Sequence, residues 1–209
     1  MNTPKAIVIG CSAGGVEALK VIVGGFSSRL QQAVLVCCHS SSETMDLLCE
    51  VLSRASSLPV MEAQERHPVR PGTVYLAPSG YHLLVEADWH FALSIDPRVN
   101  YVRPSIDVMF YSAAEVWREK LIGVVLTGAN ADGASGLQRI RSLGGTETNA
   151  SRLMAVMVGR IMMERTITAG RTPGPLRGVP NGANQPIFMC TQLQAGRIKG
   201  IMIYNPHKP

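Results

Sequence analysis

Three residues of this chain, Ser12, His39 and Asp132, have types and settings that could do chemistry together. Ser12 lies in Gly10-Cys11-Ser12-Ala13-Gly14-Gly15, between the apolar run Lys5–Ile9 and an amphipathic stretch that begins at Gly15. Glycines at a strand-to-helix junction serve one of two chemistries. They let backbone N–H groups cradle a phosphate, or they make room for a sharp G-x-S-x-G turn that exposes a nucleophilic serine. Residues 10–14 fit G-x-S-x-G; they do not fit G-x-G-x-x-G, and they lack the Lys-Ser/Thr ending of a P-loop. A tight turn around an inert serine stands beside both readings, and the short motif alone leaves all three open. Hydroxyl attack on an acyl carbon needs a base for the proton and a carboxylate to orient that base. His39 directly follows the run Ala33–Cys38, and Asp132 lies in the loop after Leu121–Leu126.

The elements that must position these residues are legible from periodicity. Lys5–Ile9, Ala33–Cys38 and Leu121–Leu126 are short, continuous apolar runs, which predict buried strands. Val16, Leu19 and Val23 recur at helical spacing up to Gly24-Gly25, and Leu47, Leu48, Val51 and Leu52 share one face of a helix over Thr44–Ala55. Pro59–Ala63 and Thr73–Ala77 are strand-like, and Tyr81–Glu86 with His90–Ile95 predicts a hairpin. Ser105 is the expected N-cap of a helix that buries Ile106, Met109, Phe110, Ala113 and Trp117. Another helix runs over Ala134–Leu143 and closes at Gly144-Gly145. Buried strands alternating with helices predict an α/β fold: a doubly wound, mostly parallel sheet with one inserted antiparallel hairpin. Ser12, His39 and Asp132 then share the carboxyl edge of that sheet, where open α/β sheets place ligands.

In this setting the chain resembles the catalytic domain of the CheB chemotaxis methylesterases. The likeness is carried by residues 6–15 (AIVIGCSAGG), 36–39 (VCCH), 75–78 (YLAP), 103–107 (RPSID) and 126–134 (LTGANADGA), in the family's order over roughly residues 5–145. It implies a serine esterase that hydrolyses γ-glutamyl methyl esters on chemoreceptor cytoplasmic helices and can deamidate receptor glutamines. Ser12 would be the nucleophile, His39 the base and Asp132 the orienting carboxylate. The N–H groups of Ala13 and Gly14, at the helix start, are expected to hold the oxyanion. Arg103, just before a helix start, is a candidate contact for acidic receptor surface, with a structural hydrogen-bond donor as the alternative. No cofactor and no metal are expected. The partner implied is the methylated cytoplasmic domain of a chemoreceptor. Ala129 and Asn130 stand where many members have methionine and glycine, and because the match starts within the first ten residues no receiver domain is expected ahead of it. The rival readings are a catalytically silent relative and a module that binds an anionic ligand through Gly10–Gly15.

Composition narrows the classes. The 209 residues carry 46% hydrophobic and 17% charged side chains, a balance that excludes a disordered chain. No apolar run reaches the roughly 18 residues of a membrane span, so no membrane insertion is expected. Five cysteines without a CxxC pair fit a reducing cytoplasm. The formal charge of +5 is unevenly placed: residues 146–209 hold eight basic and two acidic side chains, whereas residues 1–145 hold 12 and 13. Those arginines lie among glycines, prolines and methionines with almost no aromatics, so nucleic acid is not an expected partner. Two segments follow: a catalytic domain over 1–145, and a basic, Gly/Pro-containing C-terminal segment over 146–209, expected to be partly disordered. Within it, residues 170–186 offer no periodicity.

Overall fold

The computed structural model describes residues 5–39, 42–126 and 131–149, together with backbone strands at Phe188–Gln194 and Arg197–Tyr204. Six strands build a wholly parallel sheet: β1 (Ala6–Cys11), β2 (Ala33–Cys38), β3 (Val60–Glu62), β4 (Val74–Leu76), and, later in the chain, Leu121–Val125 and Thr146–Asn149. Between them comes the antiparallel hairpin β5 (His82–Val85) and β6 (Phe91–Ser94), so the last two sheet strands are β7 and β8. The sheet order is β3-β4-β2-β1-β7-β8. The chain winds outward from β1 through β2, then returns to place β7 on the other side of β1. This reversal makes the carboxyl end of β1 a topological switch point, the place where open α/β sheets bind their ligands.

Among the described residues four helices cover the sheet: α1 (Val16–Gly24), α2 (Ser42–Ala55), α3 (Ile106–Trp117) and α4 (Ala134–Ser142). Burial on both faces explains why β1 and β2 are continuous apolar runs rather than alternating ones. Val8 and Leu35 join Ile106, Met109, Phe110, Ala113 and Trp117 of α3 in one core. The alternate residues Ile9, Val34 and Val36 are buried on the opposite side, as are Leu19, Ile22 and Val23 of α1. Ser105 caps α3 as expected: its backbone is extended, and its Oγ accepts from the Val108 N–H at 3.4 Å.

Gly10 is required by this packing. A Cβ there would lie 2.4 Å from Cγ2 of Ile106, a residue only 2% exposed. The missing side chain lets the first turn of α3 press onto β1. Gly10→Ala should therefore destabilise the domain by about 1–3 kcal/mol, the usual cost of overpacking a filled core. Urea unfolding midpoints check this; an unchanged midpoint would mean that Ile106 repacks without strain.

The chain divides into two compact units, Met1–Ala150 and Ser151–Pro209. Thr146–Asn149 pairs with β7, so the first unit includes this strand. In the second unit β9 (Phe188–Gln194) and β10 (Arg197–Tyr204) pair antiparallel. The stretch 170–186, read as irregular, lies outside the described residues, as do residues 40–41 and 127–130.

Candidate active site

The parallel register brings the three residues to one edge. Cys11 pairs with Cys38, so Ser12 and His39 are the next residues along adjacent strands. The His39 N–H donates to the Cys11 carbonyl at 3.1 Å and fixes that alignment. On the other side of β1, β7 ends at Val125, and Asp132 lies seven residues further along the chain.

Ser12 has extended backbone (φ −98°, ψ 177°) and opens a 3-10 turn, Ala13–Gly15, that runs directly into α1. The Gly15 N–H bonds the Ser12 carbonyl at 2.8 Å. The Ala13 and Gly14 N–H groups come earlier in this turn, at the positive end of the α1 dipole. A Cβ placed on Gly14 would meet nothing within 4 Å, so the space beside this backbone is open to an approaching group.

His39 and Asp132 are joined directly, Nε2 to Oδ2 at 2.8 Å. The carboxylate is acceptor only, so Nε2 carries the proton and Nδ1 is the basic nitrogen of the neutral ring. Asp132 has a fully buried side chain, whereas His39 keeps 14% of its own exposed. Solvent therefore reaches the imidazole and not the carboxylate.

A buried carboxylate must be satisfied, and Asp132 is satisfied by the start of α3. Its Oδ2 also accepts the Ile106 N–H at 2.7 Å. Its Oδ1 accepts the Ser105 hydroxyl at 2.7 Å, the Asp107 N–H at 3.1 Å and the Asn100 side-chain amide at 3.5 Å. Burial alone would push the Asp132 carboxyl up, but these bonds, with that of His39 foremost, outweigh it and bring it down to about 2 from an ordinary 3.8. A carboxyl depressed on folding stabilises the native state fully above about pH 4, and that contribution is lost as pH falls through about 2. The size is on the order of 2 kcal/mol. Urea midpoints at pH 5 and pH 2 should therefore fall further for the wild type than for Asp132→Asn, which cannot ionise. Equal falls would show that the carboxylate adds no pH-dependent stability.

Ser105 is itself held by a second histidine. Its N–H donates to Nδ1 of His82, which is 1% exposed and donates from Nε2 to the Pro97 carbonyl, each at 3.2 Å. Arg103 Nη1 donates to the Ile95 and Asp96 carbonyls at 2.5 and 3.0 Å, tying down the loop that leads into α3. Cys11 is fully buried. Its thiol bonds that of Cys38, which pushes Cys11 up and draws Cys38 down.

Sequence reasoning identified Ser12, His39 and Asp132 and placed Ser105 only as a helix cap. It did not identify Asn100 or Asp107 as neighbours of the site. For Asp107 a signal existed, a carboxylate in the first turn of a helix. For Asn100 there was none. Among the described residues no group of three or more His, Cys, Asp or Glu is arranged to hold a metal ion, and no helix is long and apolar enough to cross a membrane.

Comparison with known proteins points to one family. The family model described as CheB methylesterase matches residues 7–172, well past Gly145, where the resemblance in sequence fades to the eye. A relative from Leptospira interrogans is 44% identical over 141 residues, which are 68% of this chain and 73% of the relative. The protein-glutamate methylesterase/protein-glutamine glutaminase of Symbiobacterium thermophilum is 36% identical over 185 residues, 88% of this chain and 51% of that protein. The crystal structure of the Thermotoga maritima CheB methylesterase catalytic domain superposes with a TM-score of 0.67 at 34% identity, covering 69% of this chain and 78% of that one.

Proposed function

Because the chain belongs to the CheB methylesterase family, we propose that it hydrolyses glutamate γ-methyl esters on the cytoplasmic helices of chemoreceptors, with Ser12, His39 and Asp132 as its catalytic residues. The observation that carries the reading is the 2.8 Å bond from His39 to a buried Asp132, formed at the strand ends that flank Ser12.

The reaction runs as acyl transfer to the enzyme and then to water. Ser12 Oγ attacks the ester carbonyl carbon, and its proton passes to Nδ1 of His39. The resulting imidazolium is stabilised by Asp132, whose buried charge is fixed by four further donors. The tetrahedral oxyanion lies against the N–H groups of Ala13 and Gly14. Collapse breaks the bond to the methoxy oxygen, which leaves as methanol with the proton from His39. Water, deprotonated by the same imidazole, attacks the glutamyl-serine ester; glutamate leaves and Ser12 regains its proton. With a glutamine side chain the same sequence expels ammonia, which accounts for the second activity in the name of the Symbiobacterium relative.

The proposal extends to Arg103, on the loop entering α3, as a contact for acidic receptor side chains. It places the protein in the cytoplasm, where the receptor helices are. The test is methanol release from methylated receptor cytoplasmic fragments, wild type against Ser12→Ala. Release that requires Ser12 supports the reading. A folded wild type that releases no methanol would make it a silent relative or a binding module.

A further inference from the structure

Asp132 lies just before α4, yet its carboxylate accepts the backbone N–H groups of Ile106 and Asp107 at the start of α3. Asp107 does the reverse. It belongs to the first turn of α3, and its Oδ1 accepts the N–H groups of Gly133 and Gly136, at 2.9 and 2.7 Å, at the start of α4. Each helix N-terminus is thus satisfied by a carboxylate from the other helix. The exchange is close: a Cβ on Gly136 would lie 2.5 Å from the Phe110 Cβ and 3.2 Å from the Asp107 carboxylate. Asn100 links the two carboxylates, donating to Asp107 Oδ2 at 3.3 Å and to Asp132 Oδ1 at 3.5 Å. It does so from a turn in which Asn100 (φ 51°) and Tyr101 (φ 66°) both adopt left-handed backbone. Such conformations are costly for residues other than glycine and persist only when the surroundings impose them.

Gly133 directly follows Asp132, so the Asp107 carboxylate grips the backbone one residue from the group that orients His39. From this reciprocal exchange we infer that Asp107 is a positioning residue for the reaction. It acts through Asp132 on the His39 ring and makes no contact with substrate. Two like charges kept this close are tolerated because each faces helix N–H groups, whose partial positive charge offsets the repulsion. Burial nonetheless pushes the Asp107 carboxyl up, as does the neighbouring Asp132 charge.

The inference rests on the proposed reaction, and its test has a readout that needs no substrate. Asp107→Ala removes the acceptor for Gly133 and Gly136, whereas Asp107→Asn keeps an oxygen for them. In the proton NMR spectrum, the His39 Nε2–H bonded to Asp132 should give a downfield signal that Ser12→Ala retains. Asp107→Ala is expected to broaden or remove this signal and to lower kcat about 10- to 100-fold with KM for methylated receptor unchanged. Asp107→Asn should restore kcat to within about threefold of wild type. If Asp107→Ala does not fold, Asn100→Ala, which cuts the link and leaves both caps, should lower kcat by about three- to tenfold at unchanged KM. A folded Asp107→Ala, or failing that Asn100→Ala, with wild-type kcat and an intact downfield signal overturns the inference. So does a rise in KM alone, which would make Asp107 a substrate contact. A wild type with the downfield signal and no methanol release would instead overturn the proposed reaction and leave the positioning role readable from the signal.

Discussion

Ser12→Ala should lower hydrolysis of methylated receptor by at least about three orders of magnitude, and His39→Ala by a similar factor. Nucleophile and base act as one unit: without the hydroxyl there is no acyl-enzyme, and without the imidazole the hydroxyl stays protonated. What survives either change is the modest help of the oxyanion donors and substrate binding. For the same reason the double variant should be little worse than either single one. The fold should survive Ser12→Ala, since the Ser12 side chain does not cap the 3-10 turn that follows it. Single-turnover methanol release, with unfolding midpoints measured in parallel, checks both points. A folded Ser12→Ala protein with near-wild-type turnover would refute the catalytic assignment outright.

Asp132→Asn should cost about a hundredfold or more in kcat, less than loss of the nucleophile. The carboxylate oxygen Oδ2 accepts both the His39 Nε2–H and the Ile106 N–H, while Oδ1 accepts from Ser105, Asp107 and Asn100. An asparagine has one oxygen for these five donors. If that oxygen stays with Ser105 and Asp107, its amide N–H₂ faces Nε2. The imidazole must then move its proton to Nδ1, the atom that has to accept from Ser12. If the oxygen turns to His39, buried N–H groups of α3 lose their acceptor and the helix start is destabilised. Either route harms the site, and the two are separable. The first strands the Ile106 N–H, whereas the second strands the Asp107 N–H together with the Ser105 hydroxyl and the Asn100 amide, so both lower kcat and the second lowers the unfolding midpoint further. A variant within about threefold of wild-type kcat would show that His39 needs no orienting carboxylate.

The depth of the site in the sequence differs from residue to residue. Ser12 was legible because the glycines, the apolar run before it and the helical spacing after it fall within one short window. His39 and Asp132 were legible as strand-end positions, and the family resemblance gave them roles. Asp107 and Asn100 were not, because nothing local marks a side chain that will serve a neighbouring helix. His82 lies within Tyr81–Glu86, a predicted hairpin strand, and its contact to Ser105 appears only when the hairpin packs beside the start of α3.

Strands β1 to β7, helices α1 to α4 and the capping serine were set by the sequence itself, since periodicity, turn residues and caps act over a few residues and need no distant partner. The contacts that give the site its chemistry join residues far apart in the chain: 93 positions separate His39 from Asp132, and 26 separate Asp132 from Ile106. Which ring nitrogen of His39 faces the carboxylate, and which helix satisfies that carboxylate, depend on strand order and on how closely α3 approaches β1 and α4. Those are packing outcomes of the whole domain. Glycines at 10 and 136 permit that approach, but their role becomes visible only once Ile106 and Phe110 occupy the space a side chain would need.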